Sequence, residues 1–227
     1  MKEIDFCGKV LFITGGRGGI GNAICKSFRE AGADIIAPTS SELNLLSETS
    51  IEEYFEHNKI NPDIVIHSAG INELAGICEV DQETINKVFQ VNIFSFISIL
   101  HHVVPGMIEK KNGRIIGISS LYGIVSRERR IPYSSSKHAM SGFIKSTALE
   151  VASYNILING VAPGYVMTEM TRKNLSVDEI NNLMKQIPTG RLQEAVEIAD
   201  LCLFLCSSYN QSITGQIIPV DGGFLCK

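Results

Sequence analysis

Tryptophan is absent from the 227 residues, aromatic side chains make up 7% of them, and only 7 prolines are present. With so little proline, no proline-rich linker or recognition segment is built into the chain. The six cysteines (Cys7, Cys25, Cys78, Cys202, Cys206, Cys226) include no C-x-x-C pair. That excludes the common zinc and redox spacings and leaves the thiols as small apolar groups of a reducing compartment. Cys202 and Cys206 can share a helix face, but two ligands make a poor metal site, so no metal is expected. Charged residues are scarce at 19%, with a formal net charge of −4, which argues against a nucleic-acid surface. No apolar run approaches the ~20 residues of a membrane helix. The opening MKEIDFCGKVLFITGG lacks the charged start, apolar middle and small-residue cleavage site of an export signal. The expected location is the cytoplasm, with no membrane or nucleic-acid partner and a small-molecule substrate.

What is present is a 44% apolar chain without low-complexity runs, long enough for one sizeable core. A single domain over residues 1–227 is expected. Short apolar runs at Val10–Thr14, Asp34–Ala37, Asp63–His67, Arg114–Ser119, Ile156–Val161 and Gln216–Val220 predict strands. Between them, helical patterns run over Gly19–Ala31, Ser50–Asn58, Gln82–Lys110, Tyr133–Tyr154 and Ala195–Ser207. The runs LFI, DIVI and RIIGI are apolar throughout, as strands covered on both faces must be. The fold class is therefore α/β: a Rossmann-type, doubly wound parallel sheet flanked by helices on both faces.

Two regions depart from the regular alternation. After Ser40 the chain passes through SELNLLSE with no room for a covering helix, which predicts a lopsided sheet at that edge. Residues 168–191, with Pro188 and Gly190 near their end, predict one or two short helices beyond a strand's carboxyl end, where a segment can cover a substrate.

Directly after the first strand comes TGGRGGIG, Thr14 to Gly21. Glycines at a strand-to-helix junction allow a tight turn and close approach to a pyrophosphate, at the positive end of the following helix. The spacing of Gly15, Gly19 and Gly21 is G-x-x-x-G-x-G rather than G-x-G-x-x-G, and alone it is also compatible with a plain turn.

The segment YSSSK puts Tyr133 and Lys137 one helical turn apart on one face. By themselves they are an ordinary solvated pair. Beside Ser120, at the end of a predicted strand, they acquire a chemical use. An alkoxide formed by hydride transfer must be protonated, and a phenol of reference pKa near ~10 does this better when an ammonium favours its ionised form. A serine hydroxyl can hold the carbonyl oxygen.

These motifs, with HSAG (His67–Gly70), VNIFSF around Asn92, ISSLYG, NGVAPGYVMT and the C-terminal ITGQIIPVDGGF, resemble the short-chain dehydrogenase/reductase family over nearly the whole chain. The resemblance implies that Tyr133 is the catalytic acid/base and that Lys137 lowers its pKa and holds the nicotinamide ribose. It implies that Ser120 orients the carbonyl and that Asn92, at a helix kink, holds a water of the proton relay. Ser119 is a neighbour without an assigned role. The cofactor is expected along Gly15, Arg17, Gly19, Ile20, Gly21, Ser40, Asn44, Leu45, Ala69 and Gly70. At the nicotinamide end it meets Tyr133, Lys137, Pro163, Gly164, Val166 and Thr168.

Departures from the family pattern carry information. His67 and Ser68 stand where relatives have two asparagines, and Asn44–Leu45 replaces an aspartate–valine pair. The second strand runs into APTSSE with no carboxylate at the ribose position, and Arg17 lies within the glycine turn. NADP is the expected cofactor and NAD the alternative. Arg127, Arg129 and Arg130 sit in a loop that should wall the pocket, as anion anchors or as a solvated loop with Glu128. The expected reaction interconverts a ketone and a secondary alcohol, in flavour most similar to 3-oxoacyl carrier-protein reductases. The alternatives are a keto-sugar or other metabolite reductase and, from another class, a non-catalytic dinucleotide sensor or scaffold. The resemblance also implies a homotetramer or dimer, with Gln82–Lys110 and Tyr133–Tyr154 forming one interface.

Overall fold

The computed structural model describes residues 4–168, 171 and 176–226. Its strands are β1 (Val10–Thr14), β2 (Asp34–Ile36), β3 (Ile64–His67), β4 (Gly113–Ile118), β5 (Ile156–Pro163), β6 (Val166–Met167), β7 (Gln193–Glu194) and β8 (Ile217–Val220). Six of them form one parallel sheet in the order β2-β1-β3-β4-β5-β8, while β6 and β7 pair separately. Sequential strands lie on either side of β1, so the crevice where the winding reverses opens between the ends of β1 and β3. There Thr14 lies opposite His67. This is the place at which open α/β sheets bind their ligands.

The helices are α1 (Gly19–Glu30), α2 (Glu48–His57), α3 (Gln82–Phe89), α4 (Ser95–Lys110), α5 (Ile131–Val151), α6 (Val177–Met184) and α7 (Ala195–Cys206). Strands β3, β4 and β5 are buried along their whole length. One face packs Leu11, Ile13, Ile66 and Ile116 against Ile24 and Phe28 of α1 and Ile198 and Cys202 of α7. The other packs Phe12, Val65, Ile115 and Ile158 against Phe96 and Ile99 of α4 and Met140 and Ile144 of α5. Each such side chain contributes about 1.5–3 kcal/mol on burial.

Differences from the predicted elements are local and have causes. The helix expected from Ser50 begins at Glu48 because the Ser47 hydroxyl accepts the Ser50 N–H at 3.1 Å and caps it. The α5 helix starts at Ile131, where Pro132 suits a first turn, and leaves through a 3-10 turn to Asn155 at φ 58. The expected Gln82–Lys110 helix is interrupted by a π turn at Gln90–Phe94. That helical stretch is 29 residues long and its most apolar 18-residue window has a mean hydropathy of 1.6, so by length and composition it does reach membrane-spanning size. In the fold 56% of its most apolar window is buried, as in the core helix of a globular protein. Between Ser40 and Ser47 the chain makes turns only, and β2, three residues long, is the sheet edge. The expected covering segment is described at Thr168, Thr171 and from Ser176 on; positions 169–170 and 172–175 lie outside the described residues.

Candidate active site

The turn after β1 is shaped by contacts that exclude side chains. Gly15 has φ +69, and a Cβ there would stand 2.6 Å from the Ala69 nitrogen. A Cβ on Gly21 would run into the Gly15 carbonyl, and one on Gly19 would come within 2.8 Å of the Thr168 methyl. The N-terminus of α1 has no side-chain cap and no acidic residue in its first turn. Its N–H groups and positive dipole end therefore face the crevice without an internal anion. A groove of about 440 Å³ runs from there along Gly15, Arg17, Ser40, Asn44, Leu45, Ala69 and Gly70. The Asn44 side-chain oxygen accepts the Leu46 N–H at 3.1 Å, closing a local turn. Glu42 folds back to accept the Thr39 N–H at 2.8 Å, and Arg17 lies near enough to help hold its carboxyl below the usual range, after the Thr39 hydrogen bonds.

At Gly70 and Ile71 this groove meets a second cavity of about 230 Å³, lined by Ile20, Ser120, Tyr133, Lys137, Pro163, Gly164 and Val166 among others. Ser120 follows β4 by two residues, and its hydroxyl caps a 3-10 turn over Leu121–Gly123 by accepting the Tyr122 N–H at 3.1 Å. It also faces the Tyr133 phenol as a hydrogen-bonding neighbour. Lys137 is buried, donates to the Ile118 carbonyl at 2.7 Å, and lies 5.8 Å from the centroid of the Tyr133 ring. Burial draws its pKa down to about 8. The Tyr133 phenol is shifted up, because burial outweighs the favourable effects of Ser120 and Arg130. The expected lowering of the phenol pKa is therefore not present in this arrangement: desolvation, which penalises the charged form, decides the sign.

Asn92 is fully buried within the π turn. Its side-chain oxygen accepts the Ile71 N–H at 2.8 Å, and its amide donates to the Ile71 carbonyl at 3.0 Å and the Ser136 hydroxyl at 2.9 Å. Three of its capacities thus tie the segment after β3 to the YSSSK turn of α5. Thr168 meets Gly19 by its methyl and Thr171 by its hydroxyl, at 2.9 Å. The Ser119 hydroxyl is buried with no hydrogen-bond partner among the described residues.

Sequence reasoning passed over the contacts of His67 and Ser136, and gave Tyr122 and Tyr165 packing or surface roles at positions where relatives line the substrate pocket. His67 is fully buried and bridges Thr14 to the Val91 carbonyl, although the sequence marks it only as a departure from the family pattern. Ser136, the last serine of YSSSK, is the partner of Asn92, and its own hydroxyl donates to the Tyr133 carbonyl at 2.8 Å. The phenols of Tyr122 and Tyr165 meet at 2.8 Å. Of the loop arginines, Arg129 pairs with Glu79 at 2.7 Å, and Arg130 lies over the Tyr122 ring. His102 stacks on Phe55, and His138 bonds back to the Ser134 carbonyl, so both pack rather than face the cavity.

Comparison with known proteins is consistent with this geometry. Residues 41–225 match the family model described as Enoyl-(Acyl carrier protein) reductase. The 3-oxoacyl-[acyl-carrier-protein] reductase FabG of Aquifex aeolicus (strain VF5) is 35% identical, covering 97% of this chain and 99% of its own. That of Escherichia coli (strain K12) is 34% identical, covering 97% and 98%. Among solved structures, ElxO with NADP bound superposes with a TM-score of 0.88 at 26% identity, covering 96% of this chain and 99% of its own. The structure of gox2181 shares the fold with a TM-score of 0.89 at 24% identity, covering 99% of this chain and 98% of its own.

Proposed function

Because the chain belongs to the short-chain dehydrogenase/reductase family and is an NAD(P)-dependent oxidoreductase, we propose that Ser120, Tyr133 and Lys137 handle the proton of a ketone–alcohol interconversion. The observation that carries the reading is that these three side chains line one cavity joined at Gly70 to the glycine groove. The residues fit a dinucleotide: side chains are excluded at Gly15 and Gly21, and the helix N-terminus above them lacks an internal anion. When bound, the nicotinamide supplies or accepts the hydride. Gly15, Gly19, Ile20, Gly21, Ser40, Asn44, Leu45, Ala69 and Gly70 would hold its nucleotide parts, and Pro163, Gly164, Val166 and Thr168 its reactive end.

Ser120 orients the carbonyl oxygen and hydrogen-bonds the negative charge that develops there. Tyr133 gives its proton to that oxygen in reduction and takes it back in oxidation. With its pKa shifted up by burial, the phenol is almost wholly protonated at neutral pH, the form reduction needs. Lys137, anchored by the Ile118 carbonyl, stabilises the phenolate left behind and holds the ribose. Asn92 keeps the kinked helix, Ile71 and Ser136 in register, and in the family role it would also hold a water of the relay.

For substrate, a 3-oxoacyl thioester is favoured by the printed activity of the FabG relatives, which match nearly end to end. For cofactor, NADP is favoured over NAD by Arg17 on the groove wall and by the NADP in ElxO. Glu42 weighs against it, since its carboxylate reaches Thr39 at the same end. A homotetramer or dimer is supported by exposed Phe94, Ile97 and Leu149 on the two long helices expected to form the interface. The test is loss of reduced-nicotinamide absorbance with acetoacetyl thioester and with keto-sugars, for the native protein and Tyr133→Phe. Turnover by the native protein, lost in the variant with cofactor binding retained, is the expected result. Equal turnover by the two proteins would reject Tyr133 as the acid/base.

A further inference from the structure

A cavity of about 360 Å³, lined by Val125, Gln186, Phe224 and Leu225, is unused by the reaction above. No charged side chain is among these, and Val125 is 39% exposed. Apolar surface left open to water in this way is unfavourable in proportion to its area.

The walls of this trough are extensions of the walls of the reacting cavity. On one side Val125 closes the turn that Ser120 caps: the Ser120 hydroxyl holds Leu121–Gly123, and the Val125 N–H bonds the Leu121 carbonyl at 3.0 Å. The other side is the 3-10 turn Phe224–Cys226. The buried Asp221 carboxylate sets that turn by accepting the Gly223 and Leu225 N–H groups, each at 2.9 Å. Phe224 packs edge-on against the Tyr165 ring with centroids 5.7 Å apart, and the neighbours of Tyr165 in the chain, Gly164 and Val166, line the reacting cavity. A hydrogen bond of 2.8 Å between the Tyr122 and Tyr165 hydroxyls ties the two sides together. Gln186 follows α6 in the covering segment, which the Thr189 N–H fastens to the Gly222 carbonyl at 3.2 Å.

A 3-oxoacyl thioester has its reacting ketone between two arms, the thioester and a hydrocarbon chain. An uncharged, apolar trough suits the second, because each methylene buried there gains affinity. A carboxylate or phosphate would lose its hydration with no cation among the lining residues to replace it. A keto-sugar, with hydroxyls along its length, has nothing to place there.

We propose that Val125, Phe224 and Leu225 form the subsite for the alkyl chain of a 3-oxoacyl thioester, with Gln186 beside them, so that the enzyme prefers chains longer than acetoacetyl. This deepens, and rests on, the reductase reading above.

Steady-state kinetics on the N-acetylcysteamine thioesters of 3-oxobutanoate, 3-oxohexanoate and 3-oxooctanoate test it. For the native enzyme kcat/KM should rise about two- to fourfold per added methylene, mostly through KM. Val125→Asn should flatten that rise and Val125→Leu should keep it. Leu225→Trp, which fills the trough, should reverse the rise for the longest substrate. The slope compares substrates on one protein, so a partly unfolded variant does not alter it. A flat native slope, or a native slope unchanged in both Val125→Asn and Leu225→Trp, overturns the subsite while leaving the reductase reading intact. A variant that changes the size of the assembly on gel filtration but keeps the native slope makes the trough a contact between copies of the chain, which also overturns the subsite. Absence of turnover on all of these thioesters overturns both readings.

Discussion

The His67 ring donates from Nε2 to the Val91 carbonyl at 3.1 Å, joining the end of β3 to the π turn that carries Asn92. A carbonyl only accepts, so the proton is on Nε2, and Nδ1 is the acceptor for the Thr14 hydroxyl at 2.9 Å. The ring also stacks on Phe96, with centroids 4.9 Å apart. Burial, with a smaller contribution from Lys137, lowers its pKa to about 3, against 6.5 for a free imidazole. The unfolded chain therefore binds more protons between those values. Stability from this group is complete above about pH 6.5 and is lost as pH falls toward 3, by up to ~1.4 kcal/mol per pH unit. His67→Asn, which installs the residue usual in the family, should cost about 1–3 kcal/mol at neutral pH through the lost ring packing. It should also flatten the acid limb. Urea unfolding of both proteins at several pH values measures each effect, and parallel acid limbs would show that the ring is not the group responsible.

Glycines of the turn should respond unequally to alanine. At Gly21 the new methyl meets the Gly15 carbonyl and stands 2.8 Å from the Gly15 carbonyl carbon, both of them backbone. At Gly18 it meets only the Gly15 oxygen, at 3.3 Å, and φ is −72. Gly21→Ala should therefore lose about 1–3 kcal/mol and weaken dinucleotide binding at least tenfold, whereas Gly18→Ala stays within about 0.5 kcal/mol. Thermal unfolding with and without NADPH separates the two. A Gly21→Ala protein with native affinity would mean that the turn relaxes without disturbing the site.

Much of this was legible in the chain because buried parallel strands have to be apolar throughout, and the glycine turn and YSSSK are local patterns. What was illegible depends on partners far along the chain. Gln82–Lys110 reads as one uninterrupted helix; its π turn places the Asn92 amide on the Ile71 backbone, a contact across 21 residues. His67 gains its meaning from Val91, 24 residues away, and the β6–β7 pair is two residues per strand, too short for any periodic signal. The side-chain chemistry was only partly foreseen: Lys137 does reach the neighbourhood of Tyr133, but the sign of the phenol's shift is decided by burial, which a motif does not encode. The sequence shows no carboxylate at the ribose position, and only the turn brings that of Glu42 back to Thr39.

The alkaline behaviour should be governed by Lys137 rather than by the phenol. Its pKa is lowered to about 8, while that of Tyr133 is raised. If the charged lysine is required, kcat/KM for ketone reduction is level at neutral pH and falls about tenfold per pH unit above 8. Unfolding would not mimic this limb: between about 8 and 10.5 the unfolded chain binds more protons at this group, so its contribution to stability rises with pH there. Lys137→Arg, which stays charged, should move the limb upward at a reduced kcat. A limb that stays where it was in the arginine variant would assign it to another group.

Cofactor choice should turn on two opposed charges at the adenosine end. Arg17 lines the groove, and the Glu42 carboxylate is held against Thr39 with Arg17 close enough to favour its ionised form. A 2′-phosphate would be attracted by the first and repelled by the second. Arg17→Ala should lower the NADPH-to-NADH ratio of kcat/KM about fivefold, and Glu42→Gln should raise it by a similar factor. Both groups are exposed, so both effects should shrink as ionic strength goes from about 0.05 to about 0.5 M, where screening shortens the range of the field. Ratios measured at the two salt concentrations check this directly. A Glu42→Gln protein that gains nothing for NADPH, while Arg17→Ala loses it, would place the carboxylate beyond reach of the phosphate and leave the arginine as the sole discriminator of the pair.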